Sequence, residues 1–212
     1  MVIFEVEGYL YRVSMNLLEK ESDYFRRLLV RHSQAGMYGK TDGMPIPLVD
    51  LERSAFDCIL RFLHFSERAI SVYEPDTISL DEWISLLSVS TLLQFARIRR
   101  WAIREITAQF SSLDAATVIV LATKHDVPQW LAPAYSELCR RREPLDDSEA
   151  EELGAVTTAR VGRAREAIRD EFLKTAMCEA CASGTPWDSV DHEPPEQLVT
   201  RIVDRVFWPE QS

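Results

Sequence analysis

The first fourteen residues alternate between apolar and polar side chains, as a β-strand with one buried face does. The apolar positions on either side of the Glu7-Gly8 pair are Val2, Phe4, Val6, Tyr9, Tyr11 and Val13. A period of two that is interrupted by a glycine-containing turn predicts a β-hairpin.

Helical spacing replaces this alternation at Ser14. Apolar residues then recur every three or four positions, and Ser14 can serve as the N-cap. The pattern predicts one continuous helix, whose buried face carries Leu18, Phe25, Leu28 and Leu29.

A loop and a short strand come next. Residues 32–44 contain three glycines and no periodicity, which is typical of a loop. The run PIPLVD then predicts a short strand through Ile46 and Leu48, and its prolines place that strand at a sheet edge.

The remainder of the first half predicts three helices. Asp50 is placed to cap the first, and residues 66–78 connect it to the second. Ser79 and Glu82 have the capping-box spacing that opens the second helix. The third covers residues 95–110.

Beyond residue 110 every periodic segment is helical. Asp114 is placed to cap the first of these helices, and Pro128 stands where the second can begin. Ser148 and Glu151 form another capping box, ahead of a helix that ends near Leu173.

A break and a final amphipathic segment complete the chain. One glycine and three prolines interrupt the pattern between Met177 and Pro195. The last apolar face carries Leu198, Ile202, Val203, Val206 and Phe207, and it should dock back or bind a partner. The predicted fold class is therefore α+β, with a small sheet and helices followed by an all-helical extension.

Charge narrows the classes of partner. Lys and Arg total 24 against 34 Asp and Glu, for a net charge of −10, and the segment from Glu143 to Ser212 holds 16 acidic and 7 basic residues. This balance disfavours nucleic acid and anionic membrane surfaces as partners.

The N-terminal residues and the cysteines indicate the cellular compartment. The N-terminus has neither a basic lead nor a long apolar run, so it does not predict a signal peptide, and no apolar run is long enough to span a membrane. Cys58 and Cys139 fall within helical apolar patterns, typical of buried thiols. We expect an intracellular protein of the cytoplasm, the nucleus or both.

Catalytic and cofactor motifs are missing from the sequence. The chain has no glycine-rich phosphate loop, no H-E-x-x-H and no G-x-S-x-G pattern. Lys124, His125 and Asp126 are adjacent at a predicted helix end, where a basic group complements the helix dipole. We therefore predict no catalytic residues, no cofactor and no enzyme activity.

One spacing has metal or redox potential. Cys178 and Cys181 form a C-x-x-C pair, but a structural zinc site needs four ligands and a second pair is missing. Asp191 and His192 lie across a loop with no fixed spacing. Two free thiols and no metal are the favoured interpretation; the alternative is an enzyme or a metal or redox protein that uses a site near these cysteines.

Two basic clusters remain, one on the helix of residues 95–110 and one at the end of a later helix. Their members are Arg97, Arg99, Arg100, Arg104 and Arg140 to Arg142. Either could dock an acidic partner, but pairing with the acidic segment from Glu143 within the same chain is favoured.

Three blocks of the first half resemble BTB/POZ domains. VEGYLYRVSMNLLEKESDYFRRLL resembles the strand, turn, strand and helix that open the family, PIPLVDLERSAFDCILRFLHF resembles the following strand and helix, and WISLLSVSTLLQF resembles the next helix. The positions that match the family in the first block are Leu17, Leu18, Ser22, Tyr24 and Phe25.

The second half extends the resemblance to the BTB proteins of mushroom-forming fungi, in which BACK-like helices follow the domain. The resemblance implies a BTB/POZ-like domain over 1–110, a BACK-like extension over 111–175, and a loop with an amphipathic helix over 176–212. Two departures are Ser14, where many members have histidine, and a chain start directly on the hairpin.

The resemblance implies a protein-interaction adaptor. Members of the family dimerise or dock partners without catalysis, and some link substrates to cullin-type ubiquitin ligases. Without the swapped N-terminal elements of long-form members, any homo-oligomer should be weak.

A cullin scaffold is one candidate partner that the resemblance implies. The family's cullin-binding motif, a hydrophobic residue, any residue and an acidic one, aligns with Trp83, Ile84 and Ser85. Trp83 is the candidate apolar anchor, but Ser85 lacks the acidic charge. We therefore expect weak or absent cullin binding.

Overall fold

The computed structural model describes residues 1–35, 38–49, 51–68, 78–183 and 193–209. It is mostly helical with one small sheet, which confirms the α+β class. The strands are β1 (Val2–Val6), β2 (Tyr9–Val13) and β3 (Ile46–Pro47). The helices are α1 (Met15–Glu21), α2 (Asp23–Ala35), α3 (Arg53–Arg68), α4 (Leu80–Leu92), α5 (Ala96–Ala108), α6 (Ala115–Lys124), α7 (Leu131–Arg140), α8 (Asp147–Ser183) and α9 (Glu196–Phe207).

The chain forms two compact units, Met1–Gln109 and Phe110–Ser212. The first holds the sheet and α1 to α5, and the described part of the second is helical. None of the described helices is both long enough and apolar enough to cross a lipid bilayer.

The predicted hairpin is confirmed, and β1 is the central strand in the order β2-β1-β3. Its turn uses left-handed backbone at Glu7 (φ 48°) and Gly8 (φ 80°), the arrangement that suits the right-handed twist of a hairpin. The apolar positions are paired across the two strands as Val2–Val13, Phe4–Tyr11 and Val6–Tyr9. The predicted short strand is β3, at the sheet edge and parallel to β1.

The single helix predicted after Ser14 is wrong, because the chain breaks at Ser22 into α1 and α2. Ser22 has extended backbone (φ −135°, ψ 124°) and is fully buried. Its Oγ accepts a hydrogen bond from the Phe25 backbone N–H at 3.1 Å and donates one to the Leu93 carbonyl at 2.6 Å. The hydroxyl therefore caps α2 and ties it to the end of α4.

Four phenylalanines form the centre of the first unit. Phe4 of β1 lies 5.2 Å from the Phe25 ring and 6.3 Å from the Phe56 ring, and Phe25 lies 5.9 Å from Phe95. All four are fully buried, so the sheet, α2, α3 and the start of α5 share one core.

The helix boundaries of the first unit agree with the prediction only in part: the loop predicted from residue 32 is wrong at its start, because α2 continues to Ala35. The Ser79–Glu82 capping box is confirmed, with reciprocal bonds of 3.1 and 3.3 Å. The connection predicted from residue 66 is wrong at its start, because α3 continues to Arg68. The predicted cap Asp50 lies outside the described residues.

In the second unit, the predicted cap Asp114 is confirmed. Its Oδ1 accepts a bond from the Thr117 backbone N–H at 2.8 Å. Burial alone would raise the pKa of this carboxyl, but its hydrogen bonds with Thr117 outweigh burial and lower it. Pro128 opens a short 3-10 turn that leads into α7.

The start and the end of α8 differ from the prediction. Its capping box is Asp146–Glu149 rather than Ser148–Glu151, since the Glu149 backbone N–H donates to Asp146 Oδ1 at 2.8 Å and the Asp146 N–H donates to Glu149 Oε2 at 2.9 Å. The helix also continues to Ser183 instead of ending near Leu173, so residues 176–183 belong to α8.

Gly154 makes the long helix bend. Its backbone is left-handed (φ 74°) inside α8, which therefore consists of two helical stretches joined at a kink. Such a conformation favours glycine. After the undescribed residues 184–192, α9 packs against α7 and α8, so the final amphipathic face docks within the second unit.

Replacing Ser22 with alanine tests the link between α2 and α4. The variant loses a cap and leaves the buried Leu93 carbonyl without this partner, so Ser22→Ala should lower the free energy of unfolding by about 2 kcal/mol. Ser85→Ala, at an exposed position of α4, is the matched control and should change stability by less than about 0.5 kcal/mol. Equal stability of both variants in urea unfolding would contradict the assignment.

Candidate functional site

The three residues that align with the cullin-binding motif lie in the first two turns of α4. Trp83 is fully buried, with its ring 6.2 Å from Phe62 and 6.3 Å from Trp101. Ile84 is half-buried and Ser85 is exposed. The Trp83 side chain fills the interior between α3, α4 and α5 and is not on the surface, so the anchor role of Trp83 stays an untested prediction that this position does not support.

The acidic residue beside this motif is already engaged. Glu82 accepts the Ser79 backbone bond in the capping box, and its other oxygen lies 3.6 Å from the Arg61 guanidinium. Ser85 itself is exposed and uncharged, so the surface of this turn presents no acidic group at the motif's third position.

A different apolar surface of the first unit is open. It lies at the end of the sheet where Val2 pairs with Val13; Met1 precedes Val2, and Met15 begins α1 two residues after Val13. Gly39 is held to the same end, because its carbonyl accepts from Ile3 N–H and its own N–H donates to the Met44 carbonyl.

We call this surface the methionine end. Its four members are Met1, Met15, Tyr38 and Met44, which are 79%, 39%, 47% and 38% exposed. Methionine side chains are unbranched and polarizable, and they adapt to partners of different shape. The exposed groups of this surface are therefore apolar and mostly flexible.

The rest of the hairpin makes polar contacts with α3, while Tyr9 and Leu10 beside its turn are 53% and 47% exposed. The Tyr11 hydroxyl donates to Asp57 Oδ1 at 2.9 Å, and the Arg53 guanidinium lies 3.8 Å from the centroid of the Tyr9 ring. Glu7 accepts a bond from the Arg53 backbone N–H at 2.9 Å. Burial, followed by the Asp57 carboxylate, raises the pKa of Tyr11, so the phenol remains a donor at neutral pH.

Sequence patterns alone did not reveal the methionine end. Met1 and Met15 border predicted elements, and Tyr38 and Met44 fall in a segment without periodicity. Only the sheet register and the bonds of Gly39 bring them together. The one signal in the sequence was weak: two large apolar side chains lie in a glycine-containing segment.

Two arginines of α5 form ion pairs inside the first unit. Arg97 lies 3.0 Å from Glu21, and Arg104 lies 2.7 Å from Glu105. Pairing with the acidic segment from Glu143 was the favoured interpretation. The partners of Arg97 and Arg104 are instead Glu21 and Glu105, which lie outside that segment.

For Arg141 the expected pairing with that segment is confirmed. Its guanidinium donates two bonds of 2.6 Å to the two carboxylate oxygens of Glu149. This bidentate contact, with the adjoining capping box, holds the loop between α7 and α8.

Five arginines surround one cavity in the second unit. The cavity measures about 190 Å³, and its walls include Arg140, Arg141, Arg142, Arg165, Arg169 and Cys139. Burial raises the pKa of the Cys139 thiol to about 11, so it stays protonated at neutral pH and is a poor nucleophile. The lining groups are suited to binding an anion rather than to proton transfer.

The predicted metal and redox position is only partly described. Cys178 is exposed on α8, whereas the side chain of Cys181 lies outside the described residues, as do Asp191 and His192. Among the described residues, no group of three or more His, Cys, Asp or Glu side chains could hold a metal ion. That Cys178 and Cys181 bind no metal stays a prediction.

The Lys124-His125-Asp126 triplet marks a helix end. His125 is the buried C-cap of α6, and its N–H donates to the Leu121 carbonyl at 3.0 Å. Asp126 has left-handed backbone (φ 52°), which turns the chain toward the next helix. Termination of α6 accounts for the position of this triplet.

No protein-family model, curated protein or solved structure matches the chain. The BTB/POZ resemblance therefore stays a prediction from the residues quoted above.

Removing the Trp83 side chain should destabilise the first unit rather than selectively weaken partner binding. Trp83→Ala leaves a large cavity against Phe62 and Trp101 and should cost about 3–5 kcal/mol of unfolding free energy. Ile84→Ala, at the half-buried neighbour, should cost clearly less. Unchanged thermal unfolding of Trp83→Ala would contradict its interior role.

The Arg141–Glu149 contact should make the second unit acid-sensitive. Bonds from Arg141 lower the pKa of Glu149, and the Glu149 backbone N–H lowers the pKa of Asp146. Because both pKa values are below their ordinary range, their stabilising contribution is present at neutral pH and is lost as the pH falls through the folded-state values.

Glu149→Gln should therefore reduce the fall in melting temperature between neutral pH and about pH 3. The control is Glu166→Gln, at an exposed position of the same helix, and it should keep the native pH dependence. Parallel melting curves for the native chain and Glu149→Gln at every pH would refute the contribution of this pair.

Proposed function

We propose that the chain is a non-catalytic adaptor that binds other proteins, with a BTB/POZ-like first unit and a BACK-like helical second unit. The three resembling blocks, residues 6–29, 45–65 and 83–95, support this, since they fall on β2-α1-α2, β3-α3 and α4. The family opens with the same order of strand, turn, strand and helix.

The observation that carries the proposal is the methionine end. Three methionines and a tyrosine are exposed where the sheet register and the bonds of Gly39 bring their chain segments to one end of the sheet. Exposed apolar groups gathered at one place favour a protein partner over an ion or a small polar ligand.

The electrostatics of the second unit also support binding over catalysis. Two groups that line the arginine cavity have shifted pKa values: burial raises the pKa of the Cys139 thiol and lowers the pKa of Arg165. Arginine stays charged in proteins and does not exchange protons in the range where general acids and bases act.

The expected compartment and the surface of α4 limit the candidate partners. An adaptor of this kind acts inside the cell, in the cytoplasm, the nucleus or both. A cullin scaffold is one candidate partner, but with Trp83 buried and Ser85 uncharged the start of α4 offers a weak docking surface. A second copy of the chain is another candidate.

The test compares the partners of two single-residue variants. Tagged native chain, Met15→Glu and Met177→Glu are each purified from the native cell, and the proteins that co-purify are identified and quantified. Both methionines are exposed, one in each unit, so neither change should unfold the chain. Met15→Glu should lose partners that the native chain and Met177→Glu retain, because a charge at the apolar surface must be desolvated on binding.

Two results would overturn the proposal. One is that no protein co-purifies above background with the native chain. The other is that Met15→Glu and Met177→Glu recover the same proteins in the same amounts as the native chain while both variants remain folded by circular dichroism.

A further inference from the structure

The arginine cavity of the second unit gathers positive charge in an acidic chain. Five arginine residues line a space of about 190 Å³, while the whole chain carries a net charge of −10. Like charges in one place repel each other unless an anion lies between them. The cavity therefore needs an explanation beyond general surface charge.

Hydrogen bonds within the second unit hold two of the five arginine side chains in place. Arg165 donates from Nη1 to the Glu143 carbonyl at 2.7 Å and from Nη2 to the Arg142 carbonyl at 3.0 Å, which closes the end of α7. Arg141 is held by Glu149 in the bidentate contact. Their positions are fixed by these bonds.

The other three arginine side chains are not held in this way. Among the described residues, the guanidinium groups of Arg140, Arg142 and Arg169 make no ion pair and no hydrogen bond, although all three line the cavity. Burial and the nearby charge of Arg141 lower the pKa of Arg165, with a smaller contribution from Arg169. The positive charges of Arg141 and Arg169 therefore act on Arg165, and an anion in the cavity would relieve this repulsion.

The cavity opens into a groove that limits the kind of anion. A space of about 850 Å³ between α7 and the start of α9 shares Arg140, Arg141, Arg142 and Pro194 with the cavity. Further walls of this groove are Ala132, Pro133, Ser136, Glu137, Glu193 and Glu196. A polyanion such as nucleic acid would meet these carboxylates, whereas one anionic group on a neutral or basic chain would not.

The small side chains of the groove leave room for an extended peptide. Arg140 and Ala132 are eight positions apart on α7, a rise of about 12 Å, which roughly four residues of an extended chain span. A basic residue at that distance from the anion would reach the part of the groove that Glu196 lines.

We propose that the arginine cavity binds the phosphate of a phosphorylated serine or threonine in a partner protein, whose flanking basic segment lies along the groove between α7 and α9. A phosphate dianion has three acceptor oxygens for the guanidinium groups of Arg140, Arg142 and Arg169, which a single carboxylate does not. The inference deepens the proposed adaptor function and rests on it, but it uses no residue of the first unit.

The probe is a fluorescent peptide of about nine residues, with one central phosphoserine and a lysine roughly four positions away on either side. Its binding to the full chain is followed by anisotropy, beside the unphosphorylated peptide, inorganic phosphate and a single-stranded oligonucleotide. The phosphopeptide should bind at least about tenfold more tightly than the unphosphorylated peptide, and inorganic phosphate should compete only at much higher concentration.

The variants locate the site. Arg142→Ala/Arg169→Ala should weaken phosphopeptide binding at least about tenfold, whereas Arg160→Ala/Arg163→Ala should bind like the native chain. All four arginines are exposed, and each pair removes the same charge, so folding and net charge are matched. Circular dichroism checks each variant, and Arg169→Ala alone replaces a double variant that fails to fold.

Four results would overturn the inference. They are equal affinity for the two peptides, native affinity in Arg142→Ala/Arg169→Ala, inorganic phosphate that competes as well as the peptide, or an oligonucleotide that binds more tightly. None of these four results affects the Met15→Glu comparison. Failure of the phosphate site and failure of the adaptor proposal are therefore distinguishable.

Discussion

One buried hydroxyl sets the geometry of the first unit. Ser22 interrupts what would otherwise be a single helix, caps α2 through the Phe25 N–H and donates to the Leu93 carbonyl at the end of α4. Because a buried carbonyl without a partner is costly, this bond fixes α2 against α4. The rings of Phe25 and Phe95 then meet beneath the sheet, and β1 is covered on its inner face.

Local patterns predicted the parts of the fold that depend on neighbouring residues. The hairpin register, the edge strand, the Ser79–Glu82 box and the Asp114 cap all follow from residues within a few positions of one another. The break at Ser22 was missed because its cause is Leu93, 71 positions away. The start of α8 was misplaced because Asp146 competes with Ser148 for the cap, and Arg141 favours Glu149 as its partner.

The candidate sites were harder to predict, for a physical reason. Trp83 is apolar and lies on a helix, and the sequence cannot tell a core residue from an anchor until its neighbours Phe62 and Trp101 are placed. The methionine end depends on sheet register, and the arginine cavity depends on which guanidinium groups are already bonded. The Arg140–Arg142 cluster was recognised from sequence, whereas its companions on α8 were not.

The two surfaces have complementary chemistry. The methionine end offers adaptable apolar contact, and the arginine cavity offers charge to a single anionic group. Each lies within its own compact unit. The proposed adaptor would combine a general apolar contact at the methionine end with recognition of a modified residue at the arginine cavity. One chain would then bind one partner protein or two.

Hydrogen–deuterium exchange on a complex with a captured partner tests the central claim, that partners bind the first unit through the methionine end. The account predicts slower exchange in the peptides that contain Met15 and Met44 when the partner is bound, with no change in peptides from α4. Slower exchange confined to α4, around Ile84 and Ser85, with no effect near Met15 and Met44, would contradict it.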